Sequence, residues 1–317
     1  MMQVGFIGLG AVGAKLAGTL VRNKVDLTVF DLDPSRVDLL ARKGAKAGSD
    51  PATIMQACDV VITSLPSPDV SQSVLDELMP QITTGKTWIE MSTTDPAAIR
   101  AQAKAVTAKG GRAADCPVSG GCHRAATGNI SIFAGCDRAT FETVLPLLTF
   151  MGRRVLHTGE VGTASVLKVM TNYLATAHLA TLCEAMTIMA AHDIDLATTY
   201  EAIKASSGTS FVHETESQLI LSGSRDVDFT LDLVLKDIGL FQELAEAKGV
   251  ALEVSPKLIE IVKDGQARYG ARAQSDRLIE RLEEQTGLSI RAPGFPQELV
   301  DEEPEERGKE ITRGVSH

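Results

Sequence analysis

The first 160 residues alternate short β-rich apolar runs with segments whose apolar residues recur at helical spacing. The predicted strands are residues 4–7, 27–30, 59–65, 87–90, 112–115, 130–134 and 154–157. The predicted helices are residues 11–22, 35–42, 70–79 and 97–108. Continuous apolar runs are typical of strands buried on both faces of a sheet. Strands that alternate with helices predict βαβ units and a largely parallel, doubly wound α/β sheet.

After Gly162 the β-rich runs stop, and apolar residues recur only at helical spacing. The predicted helices in this half are residues 163–191, 196–205, 214–222, 231–248, 254–269 and 273–286. We therefore predict an α/β domain over residues 1–161 and an all-α domain over residues 162–290. Residues 291–317 combine proline and glycine with many acidic residues, so we expect an acidic tail that is solvated or lies on a partner.

Composition and charge narrow the classes of partner. The chain has 317 residues, of which 44% are hydrophobic and 23% charged, a balance typical of soluble globular proteins with room for two domains. A formal net charge of −10 without a basic stripe argues against nucleic-acid binding. The apolar run 169–183 is interrupted by Asn172 and His178, and it is shorter than the roughly 20 apolar residues that span a bilayer. We expect a buried helix there and no membrane association.

The five cysteines indicate a reducing compartment. Their number is odd, and no two of them are spaced as Cys-x-x-Cys. The N-terminus also lacks the charged start of a signal peptide. These features predict reduced thiols in a cytoplasmic protein. Cys122 and His123 have no second cysteine or histidine cluster nearby in the sequence, so we predict no metal site.

A glycine-rich turn connects the first predicted strand to the first helix. It consists of Gly8, Leu9, Gly10, Ala11, Val12 and Gly13. In such a turn the first glycine permits a tight bend, the second lets a pyrophosphate approach the backbone, and the third lets the helix pack closely on the strand. The sequence therefore predicts a Rossmann dinucleotide-binding domain.

The residue after the second predicted strand bears on the choice of cofactor. Asp31 follows that strand, where a carboxylate can accept hydrogen bonds from the ribose hydroxyls of a dinucleotide. The same carboxylate repels a 2′-phosphate, and the nearby sequence has one cation, Arg36. We therefore predict NAD in preference to NADP.

Ser119, Gly120 and Gly121 form a second glycine turn, just after a predicted strand. A hydroxyl followed by two unhindered backbone N–H groups can bind a small anion such as a substrate carboxylate. On these residues alone, a plain loop is an equally good interpretation.

A single lysine, Lys168, lies in an otherwise nearly uncharged helical run. Burying it costs free energy unless its charge is compensated or used. Asn172 is four residues later, on the same helix face. The lysine can exchange a proton with a substrate oxygen as a hydride moves, and the amide can orient that oxygen. The alternative is an exposed lysine beside an unrelated asparagine. Another charged pair, Lys236 and Asp237, is by itself best interpreted as part of a solvated helix face.

Taken together, these segments resemble the β-hydroxyacid dehydrogenases, the family that contains 3-hydroxyisobutyrate dehydrogenase and tartronate semialdehyde reductase. Residues 5–13 are similar to the family's cofactor signature, and residues 115–128 are similar to its substrate loop. Residues 159–172 look like its catalytic segment, and residues 236–240 look like its second cofactor-side signature. The resemblance covers about residues 3–290.

The resemblance implies roles for individual residues. Lys168 matches the family's catalytic lysine and Asn172 its companion, and both would also contact the substrate, together with Ser119, Gly120 and Gly121. The residues that would bind the cofactor are Gly8, Leu9, Gly10, Ala11, Val12, Gly13, Asp31, Leu65, Pro66, Thr93 and Lys236. The resemblance further implies a small 3-hydroxy acid with a carboxylate as the substrate, and a helical domain that forms a homodimer or homotetramer.

The substrate loop departs from the family's pattern at Cys122, His123 and Arg124, which replace smaller residues. His123 and Arg124 either meet an extra anionic group of the substrate or lie in solvent.

The leading hypothesis is an NAD-dependent dehydrogenase of a 3-hydroxyisobutyrate-like acid. Tartronate semialdehyde reductase, L-serine dehydrogenase and threonate dehydrogenase are alternatives on the same scaffold. An imine reductase and a non-catalytic NAD-binding module are further alternatives, and the presence of both Lys168 and Asn172 argues against these two.

Overall fold

The computed structural model describes residues 2–312, so Met1 and residues 313–317, the end of the predicted acidic tail, lie outside the described residues. The described chain folds as two units. The first unit contains the residues up to Lys168 together with those from Asp301 onward, and the second is Val169–Val300. The division falls inside the helix that the sequence predicts at the start of the all-α domain.

Ten strands form one sheet in the part of the chain that the structure describes. They are β1 (Gln3–Ile7), β2 (Asp26–Phe30), β3 (Lys46–Ala47), β4 (Val60–Thr63), β5 (Thr87–Glu90), β6 (Arg112–Asp115), β7 (Val118–Ser119), β8 (Ile130–Gly135), β9 (Gly152–Gly159) and β10 (Lys309–Glu310). The order across the sheet is β10-β9-β8-β6-β5-β4-β1-β2-β3, with β7 beside β8. The strands from β3 to β6 along this path are parallel, whereas β8 is antiparallel to β6. The predicted Rossmann-like α/β sheet is confirmed.

The helices follow the predicted division into an α/β half and an all-α half. They are α1 (Gly13–Arg22), α2 (Pro34–Ala41), α3 (Pro51–Ala57), α4 (Pro68–Leu78), α5 (Pro96–Ala108), α6 (Gly121–Thr127), α7 (Arg138–Met151), α8 (Thr163–Ala191), α9 (Leu196–Lys204), α10 (Phe211–Ser222), α11 (Leu231–Glu246), α12 (Val254–Tyr269) and α13 (Glu280–Thr286). Helices α3, α6 and α7 were not predicted. The predicted last helix begins as a 3-10 turn, Ser275–Ile279.

Local sequence explains where several helices of the first unit begin. Helices α2 to α5 each have a proline in the first turn, where its missing N–H is not needed. The side chain before each proline accepts a hydrogen bond from a backbone N–H of that turn, and these side chains are Asp33, Asp50, Ser67 and Asp95. Helix α1 differs because no side chain caps its N-terminus.

The sheet is buried on both faces, as its apolar strands predict. Phe6 and Ile62 belong to one buried cluster, which also contains Leu16 of α1. Val61 and Trp88 point to the opposite face and belong to a second cluster. The central strands β1, β4 and β5 therefore contribute alternate side chains to two hydrophobic layers.

The second unit has its own hydrophobic core. Met186 of α8, Val234 of α11 and Val262 of α12 are among its fully buried side chains. The whole of α8 is 29 residues long and is apolar enough to cross a membrane by length and composition alone. A core helix of a soluble protein has the same properties, so the absence of membrane association stays a prediction.

Residues 301–311 of the predicted acidic tail lie on the first unit of the same chain, and most of their side chains are solvent-exposed. β10 adds to the edge of the sheet beside β9. Glu303 pairs with Arg154, and Glu310 pairs with Arg138. Four acids of this segment, Glu303, Glu305, Glu306 and Glu310, pair with arginines that are distant in sequence, so composition alone could not reveal their partners.

Candidate active site

The glycine-rich turn after β1 has the geometry that a dinucleotide requires. Gly8 has a φ of +95°, and a Cβ there would lie 2.2 Å from the carbonyl oxygen of Ser64. A Cβ on Gly13 would lie 2.1 Å from the carbonyl oxygen of Gly8. A Cβ on Gly10 would meet no atom within 4 Å, so the backbone there faces open space. The first and third glycines therefore allow close packing, and the second leaves room for a ligand's phosphates beside the uncapped start of α1.

Asp31 closes this turn from the neighbouring strand. Its Oδ2 accepts a hydrogen bond of 2.6 Å from the backbone N–H of Leu9, and its Oδ1 accepts one of 2.9 Å from Asp33. Arg36 lies 3.8 Å from the carboxylate and is half exposed. The carboxylate is thus fixed at the end of β2, beside the glycine turn, as the sequence predicts for a residue that binds ribose.

The next two strands bring the predicted cofactor loops together. The backbone N–H of Leu65, after β4, donates a hydrogen bond of 2.7 Å to Ser92 Oγ, after β5. Ser92 in turn donates to the fully buried carboxyl of Glu90, which also accepts from Ser71. Burial raises the pKa of Glu90. Pro66 is exposed beside Leu65, and Thr93, the residue after Ser92, is half-buried.

The Ser119 turn lies between β7 and α6. Ser119 ends β7 and is paired with Ser131 of β8. Gly120 and Gly121 have φ values of +131° and +82°, a region that favours glycine, and α6 begins directly at Gly121. The residues form an ordered turn, and its role in binding a carboxylate stays a prediction.

Helix α8 starts at the carboxyl end of β6 because Asp115 holds it there. The Asp115 carboxylate accepts hydrogen bonds from the backbone N–H groups of Gly162, at 3.1 Å, and Ser165, at 2.9 Å. Ser165 Oγ donates a third, of 2.8 Å. Burial raises the pKa of Asp115 to about 6. Lys168 follows Ser165 by three residues and is 8% exposed, so the alternative of an exposed lysine is wrong.

Asn172 lies one helical turn beyond Lys168 on α8. Its side-chain amide donates a hydrogen bond to Asp237 of α11, and Asp237 is 2% exposed. The ammonium of Lys236 lies 3.2 Å from the same carboxylate. The interpretation of Lys236 and Asp237 as a solvated pair is therefore wrong for Asp237, which is a buried partner of Asn172.

Parallel strands explain why these residues of the first unit gather at one place. The carboxyl ends of β1, β4, β5 and β6 lie at the same edge of the sheet, and ligands of open α/β sheets bind at that edge. The glycine turn, Leu65, Thr93 and the start of α8 all follow these ends. Residues 2–312 contain no group of three or more His, Cys, Asp or Glu side chains placed to hold a metal ion.

Sequence reasoning missed three supporting residues, Glu90, Asp115 and Asp237. Each is a buried carboxylate with at least one partner distant in the chain, and these partners are Ser71 for Glu90, Ser165 for Asp115 and Asn172 for Asp237. The available signals were a lone acid at the end of a buried strand, for Glu90 and Asp115, and an acid among the apolar residues of a helix, for Asp237. A buried carboxylate needs hydrogen-bond donors, so such positions indicate a partner without naming it.

Family models match both halves of the chain. Residues 3–159 match the NAD-binding domain of 6-phosphogluconate dehydrogenase. Residues 162–282 match the NAD-binding domain of NADP-dependent 3-hydroxyisobutyrate dehydrogenase. The boundary between the two matches lies at the start of α8.

Individual proteins are similar over most of the chain. The 2-(hydroxymethyl)glutarate dehydrogenase of Eubacterium barkeri is 30% identical over 91% of this chain and 97% of its own length. The NAD-dependent L-serine dehydrogenase of Pseudomonas aeruginosa is 35% identical over 78% of this chain and 86% of its own. The crystal structure of a 3-hydroxyisobutyrate dehydrogenase from Salmonella typhimurium has a TM-score of 0.82 at 25% identity and covers 89% of this chain and all of that one.

Proposed function

This chain belongs to the β-hydroxyacid dehydrogenase family, and from that premise we propose that it oxidises a small 3-hydroxyisobutyrate-like acid with NAD, using Lys168 as the general acid/base. Family membership makes it an NAD(P)-dependent 3-hydroxyacid dehydrogenase. The cofactor preference, the substrate and the residue roles are the parts that we propose.

The observation that carries the proposal is the position of Lys168. It is a buried lysine, one turn beyond the Asp115–Ser165 contact that fixes α8 to the carboxyl end of β6. That end of the sheet is also where the glycine turn and Leu65 lie. A buried amine at the cofactor edge of a Rossmann sheet suits proton transfer to or from a substrate oxygen.

The chemistry divides between the cofactor and the chain. NAD, held by the turn from Gly8 to Gly13 and by Asp31, would supply the acceptor for the hydride of the hydroxyl-bearing carbon. Lys168 takes the hydroxyl proton during oxidation and returns it during reduction. The amide of Asn172, held by Asp237, orients the same oxygen. Oxidation of the alcohol releases one proton overall, so we expect oxidation to be favoured at basic pH.

The preference for NAD rests on Asp31. Its carboxylate is fixed at the end of β2 by the backbone of Leu9 and Asp33, and it can accept hydrogen bonds from both ribose hydroxyls. A 2′-phosphate at that position would face a negative charge at short range. The Arg36 guanidinium lies 3.8 Å from this carboxylate and 3.4 Å from that of Asp33, so its charge is shared between the two acids.

The substrate carboxylate is assigned to the turn of Ser119, Gly120 and Gly121. Two successive residues with positive φ, together with the Ser119 hydroxyl, form a small anion-binding turn. The turn follows β7, the strand directly after β6, and both strands pair with β8. The similarity to an L-serine dehydrogenase and to a 2-(hydroxymethyl)glutarate dehydrogenase supports a 3-hydroxy acid.

A substrate panel tests the proposal. The purified protein is incubated with NAD or NADP and with 3-hydroxyisobutyrate, L-serine, glycerate, threonate, 3-hydroxypropionate or 2-(hydroxymethyl)glutarate, and reduced cofactor is followed by absorbance. A 2-hydroxy acid and the methyl ester of each active acid serve as controls. We expect turnover of at least one 3-hydroxy acid, with a higher kcat/KM for NAD, and poor turnover of both controls. Absence of turnover of every acid with either cofactor would contradict the proposal.

A further inference from the structure

The C-terminal residues 301–311, here called the strap, contact the helix that follows the substrate turn. Thr127, at the end of α6, donates a hydrogen bond from its hydroxyl to Asp301. The side-chain amide of Asn129 donates one of 2.7 Å to the same carboxylate and one of 2.9 Å to the backbone carbonyl of Glu303. The end of α6 is therefore hydrogen-bonded to the strap.

Glu303 is the centre of an arginine cluster. Its carboxylate lies 3.1 Å from Arg124 of α6, 3.6 Å from Arg153 and 3.1 Å from Arg154, both of β9. A carboxylate that is shared among three guanidinium groups belongs to a network, which stabilises more than an isolated surface pair does. Arg124, one of the two residues predicted to meet the substrate or lie in solvent, is therefore an anchor for the strap.

Arg22 connects α6 to the cofactor helix as well. It lies at the end of α1 and donates a hydrogen bond of 2.7 Å to the backbone carbonyl of Ala126 in α6. It also forms an ion pair of 2.9 Å with Glu305 of the strap. One guanidinium thus joins the helix of the glycine turn, the helix of the substrate turn and the strap.

The far end of the strap is fixed independently of α6. β10 pairs with β9, and the backbone N–H of Ile311 donates a hydrogen bond of 2.8 Å to the carbonyl oxygen of Val155. A Cβ on Gly308 would lie 1.8 Å from the carbonyl oxygen of Gly152, so the strap passes very close to the sheet there. The strap is therefore anchored on the rigid sheet at one end and holds α6 at the other.

Helix α6 needs such support. It is seven residues long, and isolated helices of that length are unstable in water. Gly120, which precedes the helix, and Gly121, its first residue, both have positive φ, and glycine restricts the backbone least. Neither the helix nor the turn is stiff by itself, so outside contacts must fix the position of Ser119, Gly120 and Gly121.

We infer that the strap is a positioning element for the substrate turn: Asp301 and Glu303 hold α6, and through α6 they set the place where the substrate carboxylate binds. The inference rests on the proposed function for its effect on substrate binding. It does not involve the cofactor, whose turn is fixed by Gly8, Gly13 and Asp31.

The test compares a double variant, Asp301→Ala with Glu303→Gln, with a matched control, Glu298→Ala with Glu302→Gln. Both double variants remove two negative charges from the same region of the sequence, and Glu298 and Glu302 are exposed. Hydrogen exchange of peptides covering residues 118–129 reports on the turn and α6 without any substrate. Steady-state kinetics then give KM and kcat for an active 3-hydroxy acid, and titration gives the Kd of NAD.

We expect faster exchange over residues 118–129 in the first variant and wild-type exchange in the control. We also expect the KM of the acid to rise about tenfold in the first variant, with kcat and the Kd of NAD within about twofold of wild type. Exchange equal to that of the control, or faster exchange with an unchanged KM, would overturn the inference. If the wild type turns over no 3-hydroxy acid, the proposed function fails, and the exchange comparison alone decides whether the strap holds the turn.

Discussion

The side-chain amide of Asn172 is oriented by the buried carboxylate of Asp237. A carboxylate only accepts hydrogen bonds, so the amide nitrogen of Asn172 must face it, and the direction of the amide oxygen is thereby fixed. The ammonium of Lys236 lies 3.2 Å from the same carboxylate and compensates its charge. This relationship converts an ordinary helix asparagine into a group with one defined orientation.

Replacing Asp237 should therefore impair catalysis more than cofactor binding. In Asp237→Asn we expect kcat to fall about tenfold, equivalent to about 1.4 kcal/mol of transition-state stabilisation, because Asn172 can then adopt either amide orientation. The Kd of NAD should stay near the wild-type value. Asp232→Asn is the control, since Asp232 is on the first turn of the same helix and pairs with the exposed Arg272. Equal kcat values in the two variants would refute this role of Asp237.

Ser92 should support the cofactor loop through Leu65. Ser92→Ala removes the acceptor of the Leu65 N–H and also one donor to Glu90. We expect the KM of NAD to rise about fivefold, since one neutral hydrogen bond contributes about 1 kcal/mol. Ser71→Ala removes a donor to the same Glu90 carboxyl but leaves Leu65 in place. If both variants change the KM of NAD to the same extent, the effect comes from Glu90 and not from the loop.

The cofactor preference should depend on the charge of Asp31. Asp31→Asn keeps the size of the side chain and an acceptor for Leu9, but it removes the repulsion of a 2′-phosphate. We expect the ratio of kcat/KM for NAD over NADP to fall by about tenfold or more. Asp33→Asn is a suitable control because Asp33 is a neighbouring carboxylate that caps α2. A wild type that prefers NADP would show the proposal for NAD to be wrong.

Asp115 should make stability depend on pH between about 4 and 6. Its pKa is raised from 3.8 to about 6 by burial, so the folded state holds the proton to higher pH than the unfolded state does. The contribution of this carboxyl to stability is therefore greatest below pH 4, falls as pH rises to about 6, and is constant above that. The fall is about 3 kcal/mol at most, from a shift of about two pKa units.

Denaturant unfolding of the wild type and of Asp115→Asn measures this contribution. The asparagine cannot ionise, so its free energy of unfolding relative to wild type should rise between pH 4 and pH 7. A difference between the two proteins that stays constant over this range would contradict the assignment.

The sequence predicted the elements whose pattern is local and continuous. Strands such as β4 and β5 are short apolar runs, α8 is a long apolar run and α11 is a long periodic segment, so their existence followed from the hydrophobic pattern. Helix α6 was missed because only two of its seven residues, Cys122 and Ala125, are buried, and the segment begins with glycine. Such a short helix is stabilised by its neighbours and leaves little periodic signal.

The predicted site residues came from motifs, whereas the residues that support them depend on the tertiary structure. Gly8, Gly13 and Asp31 could be predicted because a dinucleotide requires a fixed local geometry. The partnership of Asp115 with Ser165, and that of Asp301 with Asn129, joins segments far apart in the chain. No spacing rule encodes such contacts, and they appear only when the fold brings the segments together.

The most direct test of the proposed acid/base is the kcat of Lys168→Ala with NAD and the best 3-hydroxy acid. The Kd of NAD is measured in the same preparation. We expect kcat to fall between about 10²- and 10⁴-fold, with the Kd of NAD within about twofold of wild type. Lys168→Arg keeps the charge but cannot readily release a proton, so it should be similarly slow. A kcat of Lys168→Ala within about tenfold of the wild type would contradict the role of Lys168.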